Sequence, residues 1–177
     1  MKTHSRTEFY DASAEKAFKA IDDLGVTGTH MTKSSAMMMG NKLDLKFLTN
    51  HKTGLGSKYR LTGKIMGLKM DFTVEVTKWI KDKEKVWETV GDTQLIIYSW
   101  YQMVLKISAV DSQTKTELSI SYKKPTGIIN QILSFLFADW YCRWCLKKML
   151  DDARANIHDA KTDTVDTGTL IIEAIKK

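Results

Sequence analysis

One stretch, Gly127–Ile157, commits the chain to a long helix, and that commitment limits what the rest of it can be. The stretch reads GIINQILSFLFADWYCRWCLKKMLDDARANI and follows Pro125 and Thr126, a stop for a strand and a start for a helix. About thirty residues at a 1.5 Å rise make a rod of roughly 45 Å, enough to cross a small domain. At about 100° per residue, Ile128, Ile132, Phe135, Cys142, Leu146, Met149, Leu150, Ala153 and Ile157 share one face. Asp139 falls in the middle of that face, and Arg143 lies at its edge one turn later. A second apolar face, formed by Ile129, Leu133, Leu136, Phe137, Trp140 and Trp144, exists only in the first half. The second half is amphipathic, with Lys147, Lys148, Asp151, Asp152 and Arg154 on the wet side.

A helix of this kind needs a surface to bury its stripe against, and the chain before it supplies one. Thr3–Tyr10 alternates weakly and reads as a first strand with Phe9 facing inward. Asp11 or Ser13 then caps a short helix in which Ala14, Ala17, Phe18, Ile21 and Leu24 recur at helical spacing. Gly25 and Gly28 end it, and Thr29–Gly40, with Met37, Met38 and Met39 in a row, reads as a loop or short helix. Alternating strands follow over Lys42–Thr49, Ser57–Met66, Lys69–Trp79, Val86–Val90, Leu95–Ala109 and Lys115–Lys124. Their inward residues include Leu43, Leu45 and Phe47; Tyr59, Leu61 and Ile65; Met70, Phe72, Val74 and Val76; Tyr101, Met103 and Leu105; and Leu118, Ile120 and Tyr122. In Val86–Val90 the parity is open: Glu88 points inward if Val86 and Val90 are core, and outward if Trp87 is. Period-2 alternation in strand after strand describes an antiparallel sheet with one covered face and one wet face, and the long helix is the available cover.

The length of 177 residues fits one domain over 1–158 and a C-terminal tail over 159–177, read as weakly anchored, a strand or a short helix. A domain of this size buries roughly 70% of its unfolded surface, so it folds without disulfides or metal. Cys142 and Cys145 are the two cysteines, too few for a disulfide framework, which points to a reducing compartment and a cytoplasmic protein. The N-terminus MKTHSRTEFYDASAEK has no apolar core of a secretory signal. The net charge of +6 fits either a solvated basic surface or an anionic partner.

The order strand, helix, antiparallel strands and long C-terminal helix resembles the SRPBCC superfamily, the START, birch-pollen-allergen-like and polyketide cyclase/dehydrase-like proteins. DASAEKAFKAIDD resembles the family segment after the first strand, and GLGSKYRLTG resembles its G-x-G hairpin. The charged turn before KVWETVG and the Tyr141–Leu150 helix are similar as well. The resemblance runs from about Arg6 to Ile157 and leaves out the Met37–Met39 run and the tail. It implies an α+β helix-grip fold: a curved antiparallel sheet of six to seven strands wrapped around the C-terminal helix. It also implies a cavity between the two for an apolar or amphipathic small molecule, lipid-like or polyketide- or quinone-like. The superfamily has no single catalytic motif to transfer.

On that arrangement the ligand-lining residues are Tyr59, Met70, Tyr101, Met103 and Tyr122 from the sheet and Phe135, Asp139 and Cys142 from the helix. Each tyrosine or methionine either lines a cavity or fills a core. Asp139 on a core-facing stripe needs a partner, and Arg143 at i+4 or a tyrosine hydroxyl across the cavity would serve. Asp139 is accordingly either a structural ion pair, a partly exposed carboxylate near the cavity mouth, a polar anchor or an acid/base group in a cyclase/dehydrase-type enzyme. Cys142-Arg-Trp-Cys145 matches C-x-x-C but sits mid-helix, away from the N-terminal dipole that activates redox thiols, so it reads as two packed thiols. No histidine spacing suggests a metal site and no motif calls for a cofactor; His30 with Ser34 or Ser35 lacks any fixed geometry.

Asp139 and Arg143 argue against a membrane span over Gly127–Leu146. The second apolar face, Leu133, Leu136, Trp140 and Trp144, needs a cover: the Met-rich segment, a homodimer partner, another protein or a membrane surface. Lys42, Lys46, Lys58, Lys64 and Lys69 would assist contact with anionic lipid. They lack interleaved aromatics, so nucleic acid is not expected as a partner.

Overall fold

The computed structural model describes residues 1–24, 43–65 and 68–175; at residue 65 and over 159–175 only the backbone is described. The alternation in the sequence becomes one seven-stranded antiparallel sheet. Its strands are β1 (Lys2–Tyr10), β2 (Leu43–Phe47), β3 (Lys58–Ile65), β4 (Leu68–Ile80), β5 (Glu84–Gln94), β6 (Trp100–Val110) and β7 (Gln113–Lys123). Helix α1 (Ala14–Asp22) follows β1, and α2 (Ile128–Ile175) follows β7. The strand order is β1-β7-β6-β5-β4-β3-β2, so the first strand closes against the last and β1 and β2 form the edges. Helix α2 therefore leaves the sheet beside the β1–β7 pair and packs on both strands and on α1. This is the α+β helix-grip arrangement expected from the sequence.

The helix starts have local causes. Ser13 caps α1, its hydroxyl accepting from the backbone N–H of Lys16 at 3.3 Å. Gly127, at φ 95°, makes the left-handed turn that an L side chain resists, and its carbonyl accepts the first helical bond from Gln131 at 2.9 Å.

The core lies between the inward sheet face and the two helices. Tyr59, Leu61, Phe72, Val74, Leu105 and Leu118 of the sheet are buried, as are Ala17, Phe18 and Ile21 of α1 and Leu146, Met149, Leu150 and Ala153 of α2. Each large aliphatic side chain so buried contributes roughly 2 kcal/mol. Tyr10 ties β1 to α2, its hydroxyl donating to the Leu150 carbonyl at 2.9 Å. Under α1, Lys85 lies with its Nζ 2.6 Å from Asp22 Oδ1, and Trp79 Nε1 donates to Asp22 Oδ2 at 3.2 Å.

Several expectations are corrected. Phe9 is exposed and Tyr10 is buried: pairing with β7 sets β1 one residue out of the expected phase, and a one-residue slip turns every side chain over. In β5 the open parity is decided by Trp87, which is buried with Lys85 and Thr89, while Glu88 accepts from Gln102 Nε2 on the other face. The strand expected from Leu95 begins at Trp100. The long helix continues beyond Ile157 to Ile175. The Met37–Met39 segment, His30, Ser34, Ser35, Met66 and Gly67 lie outside the described residues.

Candidate functional site

The end of the sheet near the start of α2 carries both an open pocket and a cluster of aromatic side chains. The pocket is about 630 Å³. It is lined by Leu68 and Lys69 at the start of β4, by Gly91 to Ile96 with Tyr98 and Ser99, and by Pro125, Thr126 and Asn130 at the start of α2. Its lining mixes apolar Leu68, Leu95, Ile96, Tyr98 and Pro125 with polar Lys69, Asp92, Thr93, Gln94, Ser99 and Asn130.

Tyr98 joins this pocket to the core. It is buried, and its ring lies 4.7 Å from that of Tyr122, 6.5 Å from Tyr101 and 6.3 Å from Tyr141. Its hydroxyl is 3.1 Å from Cys142 Sγ and 3.4 Å from the Ala138 carbonyl, to which it donates. The chain is bent here by its own polar groups. The backbone N–H of Ser99 donates to the Lys123 carbonyl at 3.0 Å, and Thr93 Oγ1 donates to the Ser99 carbonyl at 3.0 Å. That bend turns Tyr98 inward. Burial raises the phenol pKa of Tyr59, Tyr98, Tyr101 and Tyr141, so these hydroxyls stay protonated and act as donors rather than bases.

Asp139 sits at the margin of this cluster, its side chain 36% exposed. It holds three partners: Lys2 Nζ on Oδ2, and on Oδ1 both His4 Nε2 at 2.9 Å and the Tyr122 hydroxyl at 2.7 Å. His4 and Tyr122 stack at 6.3 Å with an interplanar angle of 9°. The partner of Asp139 is thus a tyrosine together with two β1 residues, while Arg143 is exposed. Lys2 first, then Tyr122, hold the carboxyl far below the usual carboxylate range, and His4 adds to this against a burial effect of opposite sign. A carboxylate so stabilised is a poor proton acceptor and, ionised, has no proton to give. The arrangement is an ion cluster that closes the β1 edge onto α2.

Of the residues expected to line a cavity, Tyr59, Tyr101, Met103, Tyr122 and Cys142 are buried on the inward face, and Met70 is partly buried against them. Tyr101 packs on Phe72 at 6.0 Å, and Tyr59 pairs with Phe47 at 6.2 Å. Phe135 is corrected: it is 80% exposed and faces away from the core. The open pocket is lined by none of these eight residues, and Tyr98 is its link to them. Tyr98 is concealed in the sequence by the apolar run Leu95–Tyr98, which reads as the beginning of a strand with Tyr98 on the outward parity.

Among the described residues no group of three or more His, Cys, Asp or Glu side chains is placed to hold a metal ion, and no helix is long and apolar enough to cross a membrane.

No family model matches the chain, and no curated protein matches it in sequence. Solved structures do match. A protein of Thermus thermophilus superposes with a TM-score of 0.66 at 14% identity, covering 90% of this chain and 99% of its own. The Zhui aromatase/cyclase of Streptomyces sp. R1128 gives a TM-score of 0.67 at 10% identity over 89% and 93%. Norcoclaurine synthase of Thalictrum flavum, in complex with dopamine and hydroxybenzaldehyde, gives 0.62 at 11% identity over 89% and 87%. These superpositions show shared architecture: the chain has the helix-grip fold of these structures.

Proposed function

We propose that the protein binds a small apolar or amphipathic molecule, lipid-like or of fused-ring type, between the sheet and α2. The observation that carries this reading is the pocket of about 630 Å³ at the start of α2. Its size lies within the range of small-molecule sites, roughly 300–1,000 Å³, and its polar groups, which would orient a ligand, stand beside the apolar Leu68, Leu95, Ile96, Tyr98 and Pro125. Tyr98 lies between that pocket and the aromatic core, where an aromatic or alkyl group would find stacking partners. Proteins of the same fold support the reading: one is an aromatase/cyclase and another was solved in complex with dopamine and hydroxybenzaldehyde. The depressed pKa of Asp139 favours binding over acid/base turnover at that residue. The binding role is assigned to residues 1–158, with 159–177 as an extension, and the two free cysteines suit a reducing compartment such as the cytoplasm.

Native mass spectrometry of protein purified without detergent tests the proposal. The expected result is a retained apolar adduct that is lost when Thr126→Trp fills the pocket mouth. A protein that carries no adduct and also fails to bind the apolar probe ANS would overturn it.

A further inference from the structure

The apolar stripe of α2 is buried on one side of Asp139 and bare on the other. After Asp139, Cys142, Leu146, Met149 and Leu150 are buried in the core. Before it, Ile128 is 79% exposed, Ile129 75%, Ile132 55% and Phe135 80%, and Leu136 and Trp140 continue the exposed surface around the helix. An apolar face of this extent marks a contact surface.

Resting on the ligand-binding reading, we propose that this half of α2 docks on an anionic lipid surface, with the pocket mouth turned toward the lipid, so that the ligand is exchanged there. Two observations select lipid as the occupant. The first is charge. Between Ser119 and Ala138 the only charged side chains are Lys123 and Lys124, both exposed. Lys69 lines the pocket next to the exposed Leu68, and Asp92 is the one acid among the residues lining that pocket. A second copy of the chain meeting this face about a two-fold axis would bring like charges together, whereas an anionic headgroup layer pairs with them. The second is continuity. Pro125 and Thr126, which line the pocket, directly precede the exposed Ile128 and Ile129, so the pocket and the apolar face meet at the N-terminal tip of α2. Bulky aliphatic and aromatic side chains flanked by lysines are the composition of a helix that lies in a bilayer interface.

The test is flotation of the full chain with vesicles of phosphatidylcholine alone and of phosphatidylcholine mixed with phosphatidylglycerol. The protein is expected to float with the mixed vesicles, to release as salt rises, and to weaken about fivefold for each of Lys123→Gln and Lys124→Gln. Phe135→Glu and Ile129→Glu are expected to abolish flotation while keeping the wild-type melting temperature, because both positions are exposed. The absence of flotation with mixed vesicles, or flotation undiminished in both glutamate variants, overturns the proposal. So does a wild-type dimer by light scattering that Phe135→Glu splits, which assigns the face to a second copy. Ligand retention, read by native mass spectrometry on the same variants, separates this proposal from the one it rests on. An adduct kept by a protein that does not float sinks the docking alone, and flotation by a protein without adduct sinks the binding alone.

Discussion

The Tyr122 hydroxyl donates to Asp139 Oδ1 at 2.7 Å, joining the inward end of β7 to the point on α2 where the apolar stripe emerges from the core. With Lys2 and His4 it holds the Asp139 carboxyl well below the usual range. A carboxyl whose folded pKa is depressed contributes stability above its unfolded pKa of about 4 and loses it as pH falls through the folded value. Asp139→Asn is therefore expected to lower the urea midpoint at neutral pH. The difference is held to about 1 kcal/mol or less by the solvent around the partly exposed group. Below about pH 4 the gap to wild type should close. A gap that stays constant into strong acid would remove the carboxylate from this account.

Tyr98 is expected to divide its contribution between ring and hydroxyl. Tyr98→Phe keeps the packing against Tyr122, Tyr101 and Tyr141 and loses the bonds to Cys142 and the Ala138 carbonyl, at a cost of about 1 kcal/mol. Tyr98→Ala removes the ring as well and should cost about 3–5 kcal/mol. It also opens the pocket into the core, so ANS fluorescence should rise in Tyr98→Ala and not in Tyr98→Phe. Equal effects of the two substitutions would show that the ring does not separate pocket from core.

How much of this is legible in the sequence varies with the range of the interaction that decides each element. Alternation in Met70–Val76 and Leu118–Tyr122 is local and places those side chains correctly. Phe9 and Tyr10 are adjacent aromatics, and which one faces in is set by pairing with Lys115 and Thr114, a contact no local window contains. Tyr98 is turned inward by bonds from Ser99 to Lys123 and Lys124, so an apolar run that looks like strand becomes a bend. The helix stripe is equally periodic before and after Asp139. Periodicity shows a face but not where the sheet that covers it ends, and for that reason it puts Phe135 inside when the side chain is exposed. Asp139 announces the need for a partner, and a tyrosine hydroxyl is among those the sequence offers. Lys2 and His4 come from the far end of the chain and become visible only with the β1–β7 pairing.

Lys85 and Asp22 form the one ion pair among the described residues in which both partners are buried, at 2% and 6% exposure. Burial lowers the Lys85 pKa and the Asp22 carboxylate opposes it. Asp22→Ala leaves the ammonium buried and also removes the acceptor of Trp79 Nε1, so a loss of about 3–5 kcal/mol is expected. The double substitution Asp22→Leu with Lys85→Met deletes both charges while keeping the Lys85 stem volume against Trp87, and should recover most of that loss. Denaturant unfolding of the three proteins checks this; a double variant as unstable as Asp22→Ala would mean that packing, not the stranded charge, sets the cost.

The C-x-x-C spacing of Cys142 and Cys145 invites a redox assignment, and thiol reactivity decides it. Both thiols are buried within α2, and burial pushes Cys142 up to about 11 and Cys145 to about 12. At mildly alkaline pH the thiolate fraction of Cys142 is then on the order of a thousandth, that of Cys145 is smaller still, and the thiolate is the form that attacks. Native protein is expected to leave DTNB uncoloured over minutes, and denatured protein to release colour for both thiols. With graded urea, labelling should follow unfolding and not precede it, since exposure of either sulfur requires α2 to leave the sheet. Prompt modification of one thiol in the folded protein would instead place a reactive, activated cysteine on this helix.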